Sequence, residues 1–442
     1  MLQSKLLRVI ARLGAAGLLL GFSTQEAWAN GRYPQADQLL VSDDRPSLLA
    51  ARTTFGLLLS TDAGQTWDWV CERATGYSGV QNPTFGLMAS GTIIAGLREG
   101  LARSADSGCN WAFASASLSG SPVVDLTVPR AAPGTALALV WDAQATGYSS
   151  RFVQSNDDAA TFLPYGQAID PSVLLLTLDV APSDPHRIYA SGTRTVDGVR
   201  SGLLFVSTDD ALHWTEYAVP FDPKVEQGLY IAAVAPDSAD TVYLRTASAT
   251  TSRLLVTRDA GRHFEIAYSG SLLAFALSPD GSQLFFGGED GLHAGQTSDL
   301  QFEQRSELRL LCLAATNDTL YACSDERSGF TVGASRDGGS SFAPLLHLNT
   351  VRGPLACGPD ATVASCEADW PKVRAQLGLP PDAGATNLGG APSTGQPGRS
   401  GCALGAKAPP ARAPSLALGG ALLTLSLSRR CRSRRRFRLQ SK

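Results

Sequence analysis

Ser60-Thr61-Asp62-Ala63-Gly64-Gln65-Thr66-Trp67 is one copy of an octet that recurs along the chain. Its residue types are those of a tight turn. The Asp carboxylate accepts hydrogen bonds from backbone N–H groups of the turn, and the Ser or Thr hydroxyl adds another. Gly supplies the positive φ that a tight hairpin needs. The terminal Trp or Phe opens the next strand with a large apolar anchor. Further copies are SADSGCNW (104–111), SNDDAATF (155–162), STDDALHW (207–214), TRDAGRHF (257–264) and SRDGGSSF (335–342). A shortened, degenerate copy, TSDLQF (297–302), precedes the last. Ala159 and Ala211 stand where the other copies have Gly. If φ is positive there, each costs on the order of 1 kcal/mol.

The octets start 44, 51, 52, 50, 40 and 38 residues apart, within or near the length of a four-stranded propeller blade. Apolar strand candidates precede them, such as FGLLL (55–59), GLLFV (202–206) and RLLV (253–256). A second unit recurs upstream as strand, Pro/Asp turn and strand. Its copies are LDVAPSDPHRIYASG (178–192), AAVAPDSADTVYLRT (232–246), ALSPDGSQLFFGG (276–288) and a looser LAATNDTLYACS (313–324). Together the two units make one blade, and seven units close a ring without long open edges. Plentiful Gly (44) and Pro (25), with only 17% charged residues, suit a turn-rich all-β protein.

The octets resemble the Asp box, S-x-D-x-G-x-x-W, also called the bacterial neuraminidase repeat. The resemblance implies an all-β, seven-bladed β-propeller like those of sialidases, sortilin receptors and photosystem-assembly factors. It also implies that Asp62, Asp106, Asp157, Asp209, Asp259 and Asp337 are structural turn residues rather than catalytic ones. No cofactor or metal is expected.

The two ends read as targeting segments. Residues 1–29 combine three positive charges, an apolar run and Ala27-Trp28-Ala29, the order of a secretory signal peptide. The propeller is then expected over 30–366 and a Gly/Pro/Ala-rich linker over 367–401. Residues 402–442 hold Cys402 after Gly401, an apolar run at 416–427 and an arginine cluster at 429–436. This order resembles the myxobacterial C-terminal sorting signal, and the chain resembles surface propellers of the myxobacterial type. The resemblance implies processing and lipid attachment at Cys402 by export machinery and a sorting protease, with display on the outer surface of a Gram-negative cell. The ends carry +2 and +10 of a net charge of −3, leaving about −15 on residues 30–402. Such an acidic ectodomain disfavours nucleic acid.

Of eight cysteines, Cys402 and Cys431 lie in the tail. The other six, Cys71, Cys109, Cys312, Cys323, Cys357 and Cys366, are disulfide candidates in an exported protein, with fifteen possible pairings. The blade map favours Cys71–Cys109 between adjacent blades, Cys312–Cys323 within the seventh blade, and Cys357–Cys366 in a short loop after it.

Catalytic motifs are sparse. A sialidase needs an aromatic-R-I-P motif, further arginines and a Tyr/Glu pair, whereas this chain offers only Arg32-Tyr33-Pro34. A paired-carboxylate glycosidase needs two acids about 5–10 Å apart. Glu99, Asp125, Asp179 and Asp290 fall near strand ends as candidates. Gly287-Gly288-Glu289-Asp290-Gly291 reads as a blade turn, and Trp67 and Trp69 as core, the alternative being that one of them is an exposed platform for sugar or peptide. The expectation is an exported surface module that binds protein or polysaccharide without catalysis. The alternative is a glycan-processing hydrolase on the same fold.

Overall fold

The computed structural model describes residues 33–380 apart from Pro133, Ala145 and Thr146. The expected signal peptide, Arg32, Cys402 and the sorting tail lie outside the described residues. Seven four-stranded antiparallel sheets follow one another along the chain, over 36–70, 84–113, 123–165, 173–219, 226–270, 274–306 and 312–346. Each is built from four consecutive strands in sequence order, so every blade is complete in itself. The chain is a seven-bladed β-propeller.

The first strand of each blade lines the axis: Ala36–Leu40, Thr84–Leu87, Val123–Thr127, Val173–Val180, Glu226–Val234, Ala274–Leu277 and Cys312–Ala315. These inner strands touch in succession, and the first also touches the last, which closes the ring. Because neighbouring strands are antiparallel, the octets (third to fourth strand) and the first-to-second-strand turns share one face. The second-to-third-strand turns lie on the other.

The core sits between blades, as alternation of side chains across each strand requires. Tyr189 and Leu204 of blade 4, for example, pack against Leu229, Val242 and Leu244 of blade 5, all essentially buried. Each such side chain contributes about 2 kcal/mol by leaving water.

The six full octets share one geometry. Ser60 Oγ donates to Asp62 Oδ1 (2.8 Å) and accepts from Gly64 N–H (2.9 Å). Asp62 also accepts from Thr66 N–H (2.9 Å) and Thr66 Oγ1 (2.5 Å). The same pattern recurs at Asp106, Asp157, Asp209, Asp259 and Asp337. Hydrogen bonds, first that of the Thr66 hydroxyl, hold the Asp62 carboxyl down at about 2. The His213 side chain does the same for Asp209 and that of His263 for Asp259.

Positive φ occurs at the fourth and fifth octet positions, including Ala159 (+61°) and Ala211 (+63°). The neighbouring blade decides between Gly and Ala. A methyl on Gly108 would sit 2.4 Å from Leu59 of blade 1, and one on Gly339 2.1 Å from Leu292 of blade 6. Opposite Ala211, blade 3 presents Gly166, whose own Cβ would come within 2.4 Å of the Ala211 methyl. The degenerate turn at 297–302 lacks the octet bonds: Asp299 Oδ1 accepts only from Gln301 N–H.

The seam is held from outside. After the last blade, residues 352–355 run parallel to the outer strand of blade 1. Trp69 N–H donates to Gly353 O (2.7 Å) and Leu355 N–H to Trp69 O (2.9 Å). The segment then reaches the second octet, where Val363 N–H donates to Cys109 O (3.2 Å). It ends in a helix, Trp370–Gln376, which sets Trp370 against Trp69 with ring centroids 5.7 Å apart.

This path corrects two of the three expected disulfides. Cys71 pairs with Cys366 and Cys109 with Cys357. The segment after blade 7 does not fold back on itself but runs along blades 1 and 2, carrying each cysteine to a separate partner. Cys312–Cys323 joins paired residues of neighbouring strands, as expected.

Candidate functional site at the channel mouth

The four candidate carboxylates separate into two groups. Glu99 and Asp290 sit in second-to-third-strand turns of blades 2 and 6, on the face opposite the octets. There Glu99 accepts from Gln81 Nε2 (2.8 Å) and Asp290 from Tyr268 OH (2.7 Å). Asp125 and Asp179 lie on the inner strands of blades 3 and 4 and are close enough to repel each other.

Asp125 accepts from Leu178 N–H of blade 4 (3.0 Å) and from Leu126 N–H (3.0 Å). Asp179 accepts from Thr127 Oγ1 of blade 3 (3.1 Å) and from Val180 N–H (2.8 Å). Desolvation outweighs these bonds. It raises Asp125 to about 7, with help from the charge of Asp179, and Asp179 to about 6.

Two other inner-strand side chains make equivalent ties. Gln38 exchanges two hydrogen bonds with the Phe85 backbone (2.9 and 3.0 Å), and Thr177 Oγ1 accepts from Ile231 N–H (2.9 Å). The axis therefore carries a series of polar latches between successive blades.

Asp179 opens towards the octet face into a cavity of about 220 Å³ walled by Pro129, Pro182, Pro236, Val180 and Leu277. A second cavity of about 340 Å³ shares Val128, Pro129 and Arg130 with it and extends to Asp43 and Asp44. Arg130 is exposed at their common rim, with no hydrogen bond or ion pair to another described residue.

From Ser278, Ala315 and Thr316 the space continues outwards into a cavity of about 200 Å³, and from Gln283, Phe285 and Gly338 into one of about 330 Å³. The four share lining residues in series and form one track from the channel mouth to the edge of the octet face. Arg130 and this track were not singled out in the sequence. The signal that bears on them is the shortened sixth octet, beside which the outermost cavity lies.

Trp67 and Trp69 are core, 1% and 2% exposed, and their indole N–H groups donate to Gly64 O and Phe55 O respectively. Neither offers a platform to a ligand. Gly287–Gly291 is the expected blade turn, joining Gln283–Gly288 to Gly291–Gln296. No group of three or more His, Cys, Asp or Glu arranged to hold a metal occurs among the described residues. Nor is any helix among them long and apolar enough to cross a membrane.

The fold places the chain among the β-propellers. No protein-family model and no curated protein matches it. Among solved structures it is similar to an ancestral GH74 enzyme (12% identity, TM-score 0.53), with 71% of this chain and 46% of that one covered. This chain thus spans less than half of that enzyme's length. A puromycin-hydrolysing peptidase of Mycobacterium tuberculosis matches at 13% identity and TM-score 0.48, over 72% of this chain and 54% of that one. YCF48 bound to D1 peptide matches at 14% and 0.33, over 51% and 67%. At these identities the likeness is one of fold.

Proposed function

We propose that the chain is an exported cell-surface propeller that binds protein or polysaccharide without catalysis. The observation that carries this reading is the engagement of Asp125 and Asp179. This inner-strand acid pair engages N–H and hydroxyl groups that tie blades 3 and 4 together. The three disulfides fit an oxidising compartment. The leader and the tail at Cys402 fit export and anchorage, and Cys402→Ala is expected to abolish processing and surface display.

One observation favours a second reading, a glycan-processing hydrolase. The same two carboxyls are raised to about 7 and 6, in the range of a general acid at neutral pH. A panel of fluorogenic glycosides offered to the purified protein separates the two. Wild type and Asp179→Asn should be equally inactive. Robust turnover that disappears in Asp125→Asn or Asp179→Asn would replace the binding reading with the hydrolase.

A further inference from the structure

We infer that the track on the octet face is a binding groove for an extended, neutral polysaccharide, opened where the sixth octet has degenerated. The inference rests on the binding-module reading and names the ligand class.

The placement comes first. In the six full octets the Ser or Thr hydroxyl and the third-position Asp are bonded within their own turn, and the tip packs on the preceding blade. At blade 6 the turn is two residues shorter and Asp299 makes no octet bond. Beside it lies the cavity of about 330 Å³, between the end of the third strand at Gln296 and the tip of the last octet at Asp337 and Gly338. The repeat is thus interrupted where the groove begins.

The lining chemistry comes second. Gln283, Gln296, Asn317 and Arg336 are exposed along the two outer cavities, and their side chains make no hydrogen bond or ion pair to another described residue. A primary amide offers two donors and an acceptor, and a guanidinium five donors in a planar fork. Such a row suits hydroxyl groups, each of which both donates and accepts.

Charge and composition narrow the class. The four cavities are lined by Asp43, Asp44, Asp179, Asp318 and Asp337 against Arg130, Arg305 and Arg336, a balance that repels a polyanion. Phe285 is the single aromatic residue in the lining of the track, which leaves a protein partner without the aromatic anchors that usually dominate such interfaces. Affinity carried by repeated hydrogen bonds should grow with ligand length and change little with salt.

The test is affinity electrophoresis of the full-length protein through gels containing dextran, mannan or hydroxyethylcellulose, with polygalacturonate as the anionic arm. At least one neutral polymer should retard the protein, equally at low and high salt. Gln296→Trp, which fills the outer cavity, should weaken binding at least about tenfold. So should the combined truncation Gln283→Ala, Gln296→Ala and Asn317→Ala, which removes three hydrogen-bonding groups. Both variants should keep the wild-type melting temperature.

Retardation unchanged in both variants overturns the groove but leaves the binding module standing. Retardation by polygalacturonate alone, or by none of the polymers, overturns the neutral-polysaccharide class. Cleavage of a polymer overturns the module reading itself.

Discussion

Each octet settles its turn with residues at most four apart in the chain, whereas the closing segment joins positions 295 and 248 residues apart. The first device is repeated, local and made of hydrogen bonds. The second occurs once, spans nearly the whole ring and is covalent. Their costs of failure should differ accordingly. A lost octet loosens one hairpin, while a lost closing segment frees the seam on which all seven blades depend.

Removing the covalent part of the seam is the strongest way to break this contrast. With Cys357→Ser and Cys366→Ser together, the unfolded chain regains the freedom that two very long loops deny it. Stability should fall on the order of 5 kcal/mol, since loop-closure entropy grows only slowly with length. Chemical denaturation under non-reducing conditions measures this. A loss below that of a single octet variant would show that the blades, not the closing segment, hold the ring.

The octets themselves divide into two kinds, and the division can be sharpened by exchange. Gly339→Ala places a methyl at φ +89° against Leu292, which is fully buried and cannot easily yield. A loss of about 2–4 kcal/mol is expected from backbone strain plus overpacking. Ala211→Gly should stay within about 1 kcal/mol of wild type, because relief at φ +63° offsets the lost packing of one methyl. Equal effects from the two changes would refute the idea that the preceding blade selects the residue.

Acid and neutral pH should break the contrast in opposite ways, giving a stability profile with two opposed limbs. Asp62, Asp157, Asp209, Asp259 and Asp337 are held down to about 2, so the stability they add is present above their unfolded value near 4. It fades as pH falls from about 4 towards about 2. Asp125 and Asp179 are raised to about 7 and 6, so their contribution is full below about 4 and is lost as pH rises through 6 and 7. The melting temperature should peak between these limbs, near pH 4–5. Asp179→Asn should flatten the neutral limb and leave the acid one unchanged.

The same contrast separates what could be read from the chain from what could not. The octets were legible because Ser, Asp and Gly act on backbone groups two to four residues away, so their bonds are written in adjacent letters. Blade number and the Cys312–Cys323 pair followed from that spacing. The Cys71–Cys366 and Cys109–Cys357 bonds were not legible, because residues 347–380 carry no repeat to reveal that they run along blades 1 and 2. At the candidate site, Asp125 and Asp179 were named as acids near strand ends. Their role as ties depends on groups in the adjoining blade: Asp125 on an N–H 53 residues downstream, Asp179 on a hydroxyl 52 residues upstream. The track was foreshadowed only by a defect in the repeat, and its free amides look in sequence like any solvated loop.

The bond between Cys71 and Cys366 also changes what a protease can do to the molecule. It turns blades 2 to 7 into a closed covalent circle, so one cut in any loop of that circle opens the chain without releasing a fragment. Both pieces stay tethered, with their blades still packed against neighbours on either side. Exposed to proteases, a molecule would therefore take a single nick and keep its ring. Such nicked molecules would run as one band on a non-reducing gel and fall apart into two only on reduction.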